Sequence, residues 1–254
     1  MSTATHQCAV CGKPSTTRCG PCGAAGLDLY FCSRGHQKLI WWTHKRVCGP
    51  RAVPFQHPLL TREEHDALLN VRKNKIIGTS FKGTVSLEML LEDQQVPRAD
   101  LPTLLEKCTQ PGLDPAVAFD WPRHFLPLLR GFHLRIKGQN GSPSTPDEIW
   151  DDIGMRHSDL VAAAMRSGSP EISALYGVLE SKPITAFWHQ LLIFLTLMKR
   201  VTTLSIEELT RDGEVYAGMT RLLGEKVEGV EKELPEFGRV LRRVIRDEWQ
   251  FLPA

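Results

Sequence analysis

Six of the seven cysteines fall between Cys8 and Cys48, and their spacing decides what the first fifty residues fold around. The run reads Cys8-x2-Cys11, Cys19-x2-Cys22, Cys32-x3-His36 and His44-x3-Cys48. Four such pairs supply eight ligands, enough for two closed tetrahedral zinc sites. A Cys-x2-Cys pair on a tight turn points both sulfurs at one ion. The glycines after Cys11, Cys19 and Cys22 suit such knuckles, because glycine tolerates positive φ. The two later pairs are spaced i,i+4, which places both side chains on one face of a helical turn.

Six cysteines in a short span also fit three disulfides. Against that, Met1 to Gln7 is short and polar, without the apolar run of a secretory signal, so an intracellular chain with reduced thiols is expected. Two histidines in ligand spacing have no place in a disulfide scheme. A segment of this size buries too little apolar surface to be more than marginally stable alone. Each zinc therefore contributes folding free energy, on the order of 10 kcal/mol per structural site. With all eight ligands drawn from protein, no coordination position stays open for water, and catalytic zinc is not expected.

The run Tyr30-Phe31-Cys32-Ser33-Arg34-Gly35-His36-Gln37, then Trp41, then His44-Lys45-Arg46-Val47-Cys48 resembles a MYND-type zinc finger, over residues 8–48. His36 stands where that family usually has cysteine, a swap that still completes a Cys3His site. Trp42 is an additional aromatic. The resemblance implies interleaved ligands: Cys8, Cys11, Cys32 and His36 in site one, Cys19, Cys22, His44 and Cys48 in site two. It also implies a protein-interaction module for short proline- and leucine-containing peptides, with Gln37 and Trp41 lining the groove. One helical turn apart, those two share a face. An exposed indole offers a flat apolar platform for a proline ring, and an adjacent amide bonds peptide backbone. The competing reading makes Trp41 and Trp42 the finger's small core; Trp42 is expected to pack against the rest of the chain.

Residues 1–50 carry six Lys/Arg and one Asp; six thiolates and two zinc ions subtract two, leaving +3. No run of basic residues lines a recognition helix, so nucleic acid is not an expected partner. Residues 51–254 carry 25 Lys/Arg against 28 Asp/Glu, a balance that indicates no charged partner.

Prolines at 50, 54 and 58 mark residues 51–60 as an extended linker, leaving 61–254 as an α-helical domain. Thr61-x-x-Glu64, Thr145-x-x-Glu148 and Ser205-x-x-Glu208 are capping boxes opening apolar-periodic runs. Pro146 and Pro170 sit at first-turn positions. The periodicity predicts helices near 62–74, 85–93, 101–108, 122–135, 146–166, 170–180, 184–200, 206–223 and 235–250, with a short extended piece within Gly78–Val85. No repeat of fixed period supports a solenoid. Ile184 to Met198 is the most apolar stretch; it is too short for a membrane span and carries His189 and Gln190, so it reads as the central buried helix. In the last helix Arg239, Arg242, Arg243 and Arg246 face away from the apolar positions, as a solvated face does.

Catalytic motifs are absent. Cys108 has no motif relation to any histidine; His124, His133, His157 and His189 are scattered. Asp147, Glu148, Asp151 and Asp152 belong in a first helical turn on dipole grounds. There is no phosphate loop, nucleophile elbow or H-E-x-x-H. Some MYND-bearing proteins are lysine methyltransferases with the finger inside a SET domain, but the Asn-His-Ser/Cys motif of that fold is missing, and the helical body disagrees with its β-rich architecture. Pro111-Gly112-Leu113-Asp114-Pro115 has the Pro-x-Leu-x-Pro form of the family's peptide ligands and offers a route to self-association. The expectation is a non-enzymatic adaptor or transcriptional coregulator in the nucleus or cytoplasm, built as a small double-zinc finger on a mainly α body. The alternatives are an enzyme with an unrecognised site in the helical body and a purely structural finger, and a finger that caps the body and binds nothing.

Overall fold

The computed structural model describes residues 6–74, 76–78, 83–93, 96–110, 121–139, 148–167, 181–201 and 213–252. The chain is mainly α, with small sheets only. The order is β1 (His6–Gln7), β2 (Pro14–Ser15), β3 (Thr17–Arg18), α1 (Gly20–Ala24), β4 (Tyr30–Phe31), α2 (Arg34–His44) and α3 (Arg62–Val71), then β5 (Ile76–Gly78), β6 (Gly83–Val85), α4 (Leu87–Asp93) and α5 (Leu101–Lys107). The remainder is α6 (Trp121–Gln139), α7 (Glu148–Ser167), α8 (Lys182–Val201), α9 (Gly213–Glu233) and α10 (Pro235–Arg243), followed by a π-helical turn at Val244–Glu248. β1 pairs with β2, β3 with β4 and β5 with β6, all antiparallel. The last pair is the extended piece expected near Gly78–Val85. The predicted helix at 170–180, the caps at Thr145 and Ser205, and Pro111–Pro115 lie outside the described residues.

The chain forms two compact units, residues 1–56 with 163–254, and residues 57–162. In the first, the finger and the C-terminal helices share one interior. α8 is buried along nearly its whole length, as its apolar sequence predicts, and α2 and α9 pack on it. Three of its buried polar side chains meet partners. Gln190 donates from Nε2 to the Ala9 carbonyl at 3.0 Å, His189 Nε2 lies 2.9 Å from the Ala52 carbonyl, and the hydroxyls of Thr196 and Thr43 (on α2) are 2.9 Å apart. Burial pushes the His189 imidazole down to about 4, which leaves it neutral and makes Nε2–H the donor to Ala52. Leaving such groups unmatched inside would cost on the order of 1–3 kcal/mol each. The proline-rich stretch is tied down over its first half: Gly49–Arg51 is a 3-10 turn, Ala52 is buried, and Phe55 packs edge-on to His189 at 5.0 Å between ring centres.

α9 runs ten residues further than the sequence pattern suggested, to Glu233. Gly224 and Gly229 look like breakers, yet Leu223, Val227 and Val230 carry the buried stripe through them. Tertiary packing outweighs roughly 1 kcal/mol of propensity per glycine. α10 stops short of the predicted 250 and gives way to the π turn, which places Trp249 inside.

The second unit has its own apolar core, from Leu60 and Leu68 through Leu87, Leu91 and Leu105 to Leu129 and Phe132. The Thr61 capping box is made: Thr61 Oγ1 accepts from the Glu64 amide and Glu64 Oε2 accepts from the Thr61 amide, at 3.2 and 2.7 Å. At the centre lies Arg130, fully buried. It donates to the Pro58 and Leu59 carbonyls, to Glu64 at 3.0 Å and to Asp151 at 3.2 Å. His133 Nδ1 sits 2.8 Å from the other Asp151 oxygen. One guanidinium thus ties α3, α6, α7 and the segment entering α3. Burial acts to raise the Glu64 carboxyl, but the Arg130 charge and the Thr61 amide outweigh it and hold it below its ordinary value.

Removing one partner from such a buried pair strands the other, so Arg130→Met should lower unfolding free energy by about 3–5 kcal/mol in urea titrations. Because the folded pKa of Glu64 is depressed, its contribution is complete above the unfolded carboxylate value and is lost as pH falls through the folded one. The urea midpoint of the native chain should therefore drop on acidification below about pH 4.5, and Glu64→Gln should flatten that dependence.

Candidate metal centre

Two strand pairs present the two Cys-x2-Cys knuckles. Between β1 and β2, the Gly12 amide donates to the Cys8 carbonyl at 2.8 Å and Gly12 takes φ +72°, a turn glycine permits. Between β3 and β4, the Gly23 amide donates to the Cys19 carbonyl at 2.9 Å, and Cys22 lies within the short α1. Gly20 and Gly23 do not adopt positive φ; Gly49, just past Cys48, does, at +75°. β4 then delivers Cys32, and Ser33 caps α2 by accepting from the His36 amide at 3.1 Å. Helix α2 carries His36 in its first turn and His44 in its last.

The eight candidate ligands fall into two groups, Cys8, Cys11, Cys32 and His36, and Cys19, Cys22, His44 and Cys48. This is the interleaved arrangement that the resemblance implies. In site one the Cys8 and Cys32 sulfurs lie 3.4 and 3.2 Å from His36 Nδ1, and Cys11 lies 3.7 Å from Cys32. In site two the Cys19 and Cys22 sulfurs lie 3.5 and 3.4 Å from His44 Nε2, and 3.6 and 3.7 Å from Cys48. A tetrahedron with Zn–S of about 2.3 Å and Zn–N of about 2.0–2.1 Å has S···S edges of about 3.8 Å and S···N edges of about 3.6 Å. The donor sets therefore fit zinc in size and in kind, two ions per chain.

The sulfur chemistry agrees. In site two the Cys22 thiol hydrogen bond holds Cys19 down to about 3, and the same bond pushes Cys22 up. In site one burial pushes Cys11 up to about 12; burial acts the same way on Cys8, but amide and His36 hydrogen bonds outweigh it and bring it to about 7. In both sites one sulfur ionises readily while a neighbour is held as a thiol. A dication is what lets all three ionise together. Cys32 is exposed, whereas Cys19, Cys22 and His44 are buried, so site one is the more accessible of the two.

The C-terminal helices brace both sites. A Cβ at Gly218 of α9 would collide with the Cys11 carbonyl, so α9 lies directly on the first knuckle. The His44 ring sits between Trp41, with centres 6.0 Å apart, and His189 of α8, 6.2 Å away. Trp41 itself is 45% exposed, Gln37 is half-buried, and Trp42 is half-buried as well. Sequence reasoning missed a third group, buried Glu64, His133 and Asp151. Arg130 donates to both of its carboxylates, which makes it an ion-pair node rather than a vacant cation site. Glu64 was legible only as a capping residue and Asp151 only as a first-turn acid; no spacing rule joins them.

The family model for the MYND finger matches residues 8–48 of the 254. No curated protein and no solved structure matches the chain. Residues 8–48 are thus a MYND finger, a zinc-binding module that in general serves protein interaction. Among the described residues no helix is long and apolar enough to cross a membrane.

By native mass spectrometry, Cys32→Ala should leave one zinc per chain, while His36→Cys, which only exchanges an imidazole for a thiolate, should keep two. Gly218→Val should destabilise the chain by about 1–3 kcal/mol through overpacking and weaken zinc retention at site one.

Proposed function

We propose that this chain is an adaptor or transcriptional coregulator in the nucleus or cytoplasm, whose finger binds short Pro/Leu-containing peptides across Gln37 and Trp41. The observation that carries the reading is the exposure of Trp41. The indole is exposed on the outer face of α2, while the helix buries Ile40, Thr43 and His44 on its inner face. A core role for Trp41 would require the opposite. Large aromatics left in water on a rigid helix are what binding hot spots are made of. Site two supports the platform, because the His44 ring lies beside the indole, with ring centres 6.0 Å apart. Gln37, one turn earlier, presents an amide that both donates to and accepts from extended peptide backbone.

A catalytic role for the helical body gains no support from the buried Glu64, His133 and Asp151 group. Arg130 already satisfies its carboxylates, and a general acid or base must reach a substrate.

The test is binding of the zinc-loaded chain to an array of Pro- and Leu-containing peptides. Trp41→Ala should weaken binding by about 2 kcal/mol or more, and Gln37→Ala by about 1 kcal/mol, with both variants retaining two zinc ions. No binding by the intact chain would remove the proposal.

A further inference from the structure

The outer face of α2 carries more than Trp41. Arg34, Lys38 and Lys45 are exposed, and at 100° per residue they fall with Trp41 inside an arc of roughly 60°. Lys45 is still in helical conformation, so the row is continuous. Arg34, Lys38, Trp41 and Lys45 follow one another at steps of about one turn, with the cations on either side of the indole. No ion pair involves any of the three among the described residues, in contrast to Arg18, Arg221, Arg239, Arg242 and Arg246, each of which faces a carboxylate. The finger's single acidic residue, Asp28, is held by Arg18. Each zinc with three thiolates and a neutral imidazole carries a net −1, which lowers the field of this face but puts no carboxylate on it.

We infer that the peptide docked on α2 is acidic at its flanks: a Pro/Leu core seated on Trp41, with Asp or Glu on both sides reaching Arg34 and Lys38 at one end and Lys45 at the other. The inference rests on the reading of Gln37 and Trp41 as a peptide platform and names the charge of the partner. Dimensions agree. From Arg34 to Lys45 the helix rises about 16 Å, the length of roughly five extended residues. A core of that size therefore brings its flanking carboxylates over the two ends of the row. A peptide is favoured over nucleic acid because three cations spread over three turns make too few phosphate contacts. Duplex binding at physiological salt generally takes about six to ten. The apolar indole and the amide between the cations match a peptide's proline and backbone.

The test uses three synthetic peptides with one Pro/Leu core from the array above: flanked by glutamates, by neutral serines, or by lysines. Each is titrated by fluorescence anisotropy into the zinc-loaded full chain, at low salt and at about 0.3 M salt. The glutamate peptide should bind on the order of five-fold tighter than the neutral one at low salt, and the lysine peptide correspondingly weaker, with the differences shrinking at the higher salt. Lys38→Glu with Lys45→Glu should reverse the order while keeping two zinc ions. Equal affinities for all three peptides would overturn the charge preference and leave the platform reading standing. Failure of every peptide, the neutral one included, would overturn both. A mixed-sequence DNA duplex that binds tighter than the glutamate peptide at about 0.15 M salt would assign this face to phosphate instead.

Discussion

Helix α2 is held by metal at both ends, and the finger's geometry depends on it. His36 in its first turn completes the site begun by the first knuckle, and His44 in its last turn completes the site begun by the second. A helix of eleven residues has little stability by itself. Anchored at two points, it cannot rotate or slide without breaking a zinc site. The indole on its outer face is therefore placed by coordination chemistry at the two ends of the helix together with the packing of Ile40 on its inner face.

The interior of the first unit answers the finger's remaining need. Knuckles leave backbone carbonyls without partners, and burying them under apolar helices would be costly. α8 solves this with polar residues set among its apolar ones. Gln190 reaches the carbonyl beside the first knuckle, His189 reaches the turn after the last ligand, and Thr196 meets Thr43 on α2. The glycine that lets α9 touch Cys11 belongs to the same arrangement. Residues far apart in the chain thus form one folding unit with the zinc ligands.

How much of this was legible follows from where the information lies. Metal ligation was readable because Cys-x2-Cys and i,i+4 pairs are local, and few other structures need them. The pairing of knuckles with helix ends came from family likeness, since spacing alone allows other partitions. The helices of the second unit were readable from caps and periodicity. Arg130 was not: its partners run from Pro58 to Asp151 and meet only in three dimensions. His189 and Gln190 told against a membrane span without disclosing what they bind. The extent of α9 was hidden by two glycines whose local cost is overridden by the stripe of Leu223, Val227 and Val230.

Interleaving also sets the order of assembly. Each ion closes a long loop in the unfolded chain, joining ligands 28 residues apart in one site and 29 in the other. The two loops overlap, so closing either one already gathers much of the chain that the other must enclose. The entropy of the second closure is then largely spent in the first. Filling both sites is consequently a cooperative event: singly loaded molecules stay scarce during metal uptake, and the finger switches between empty and complete over a narrow range of free zinc.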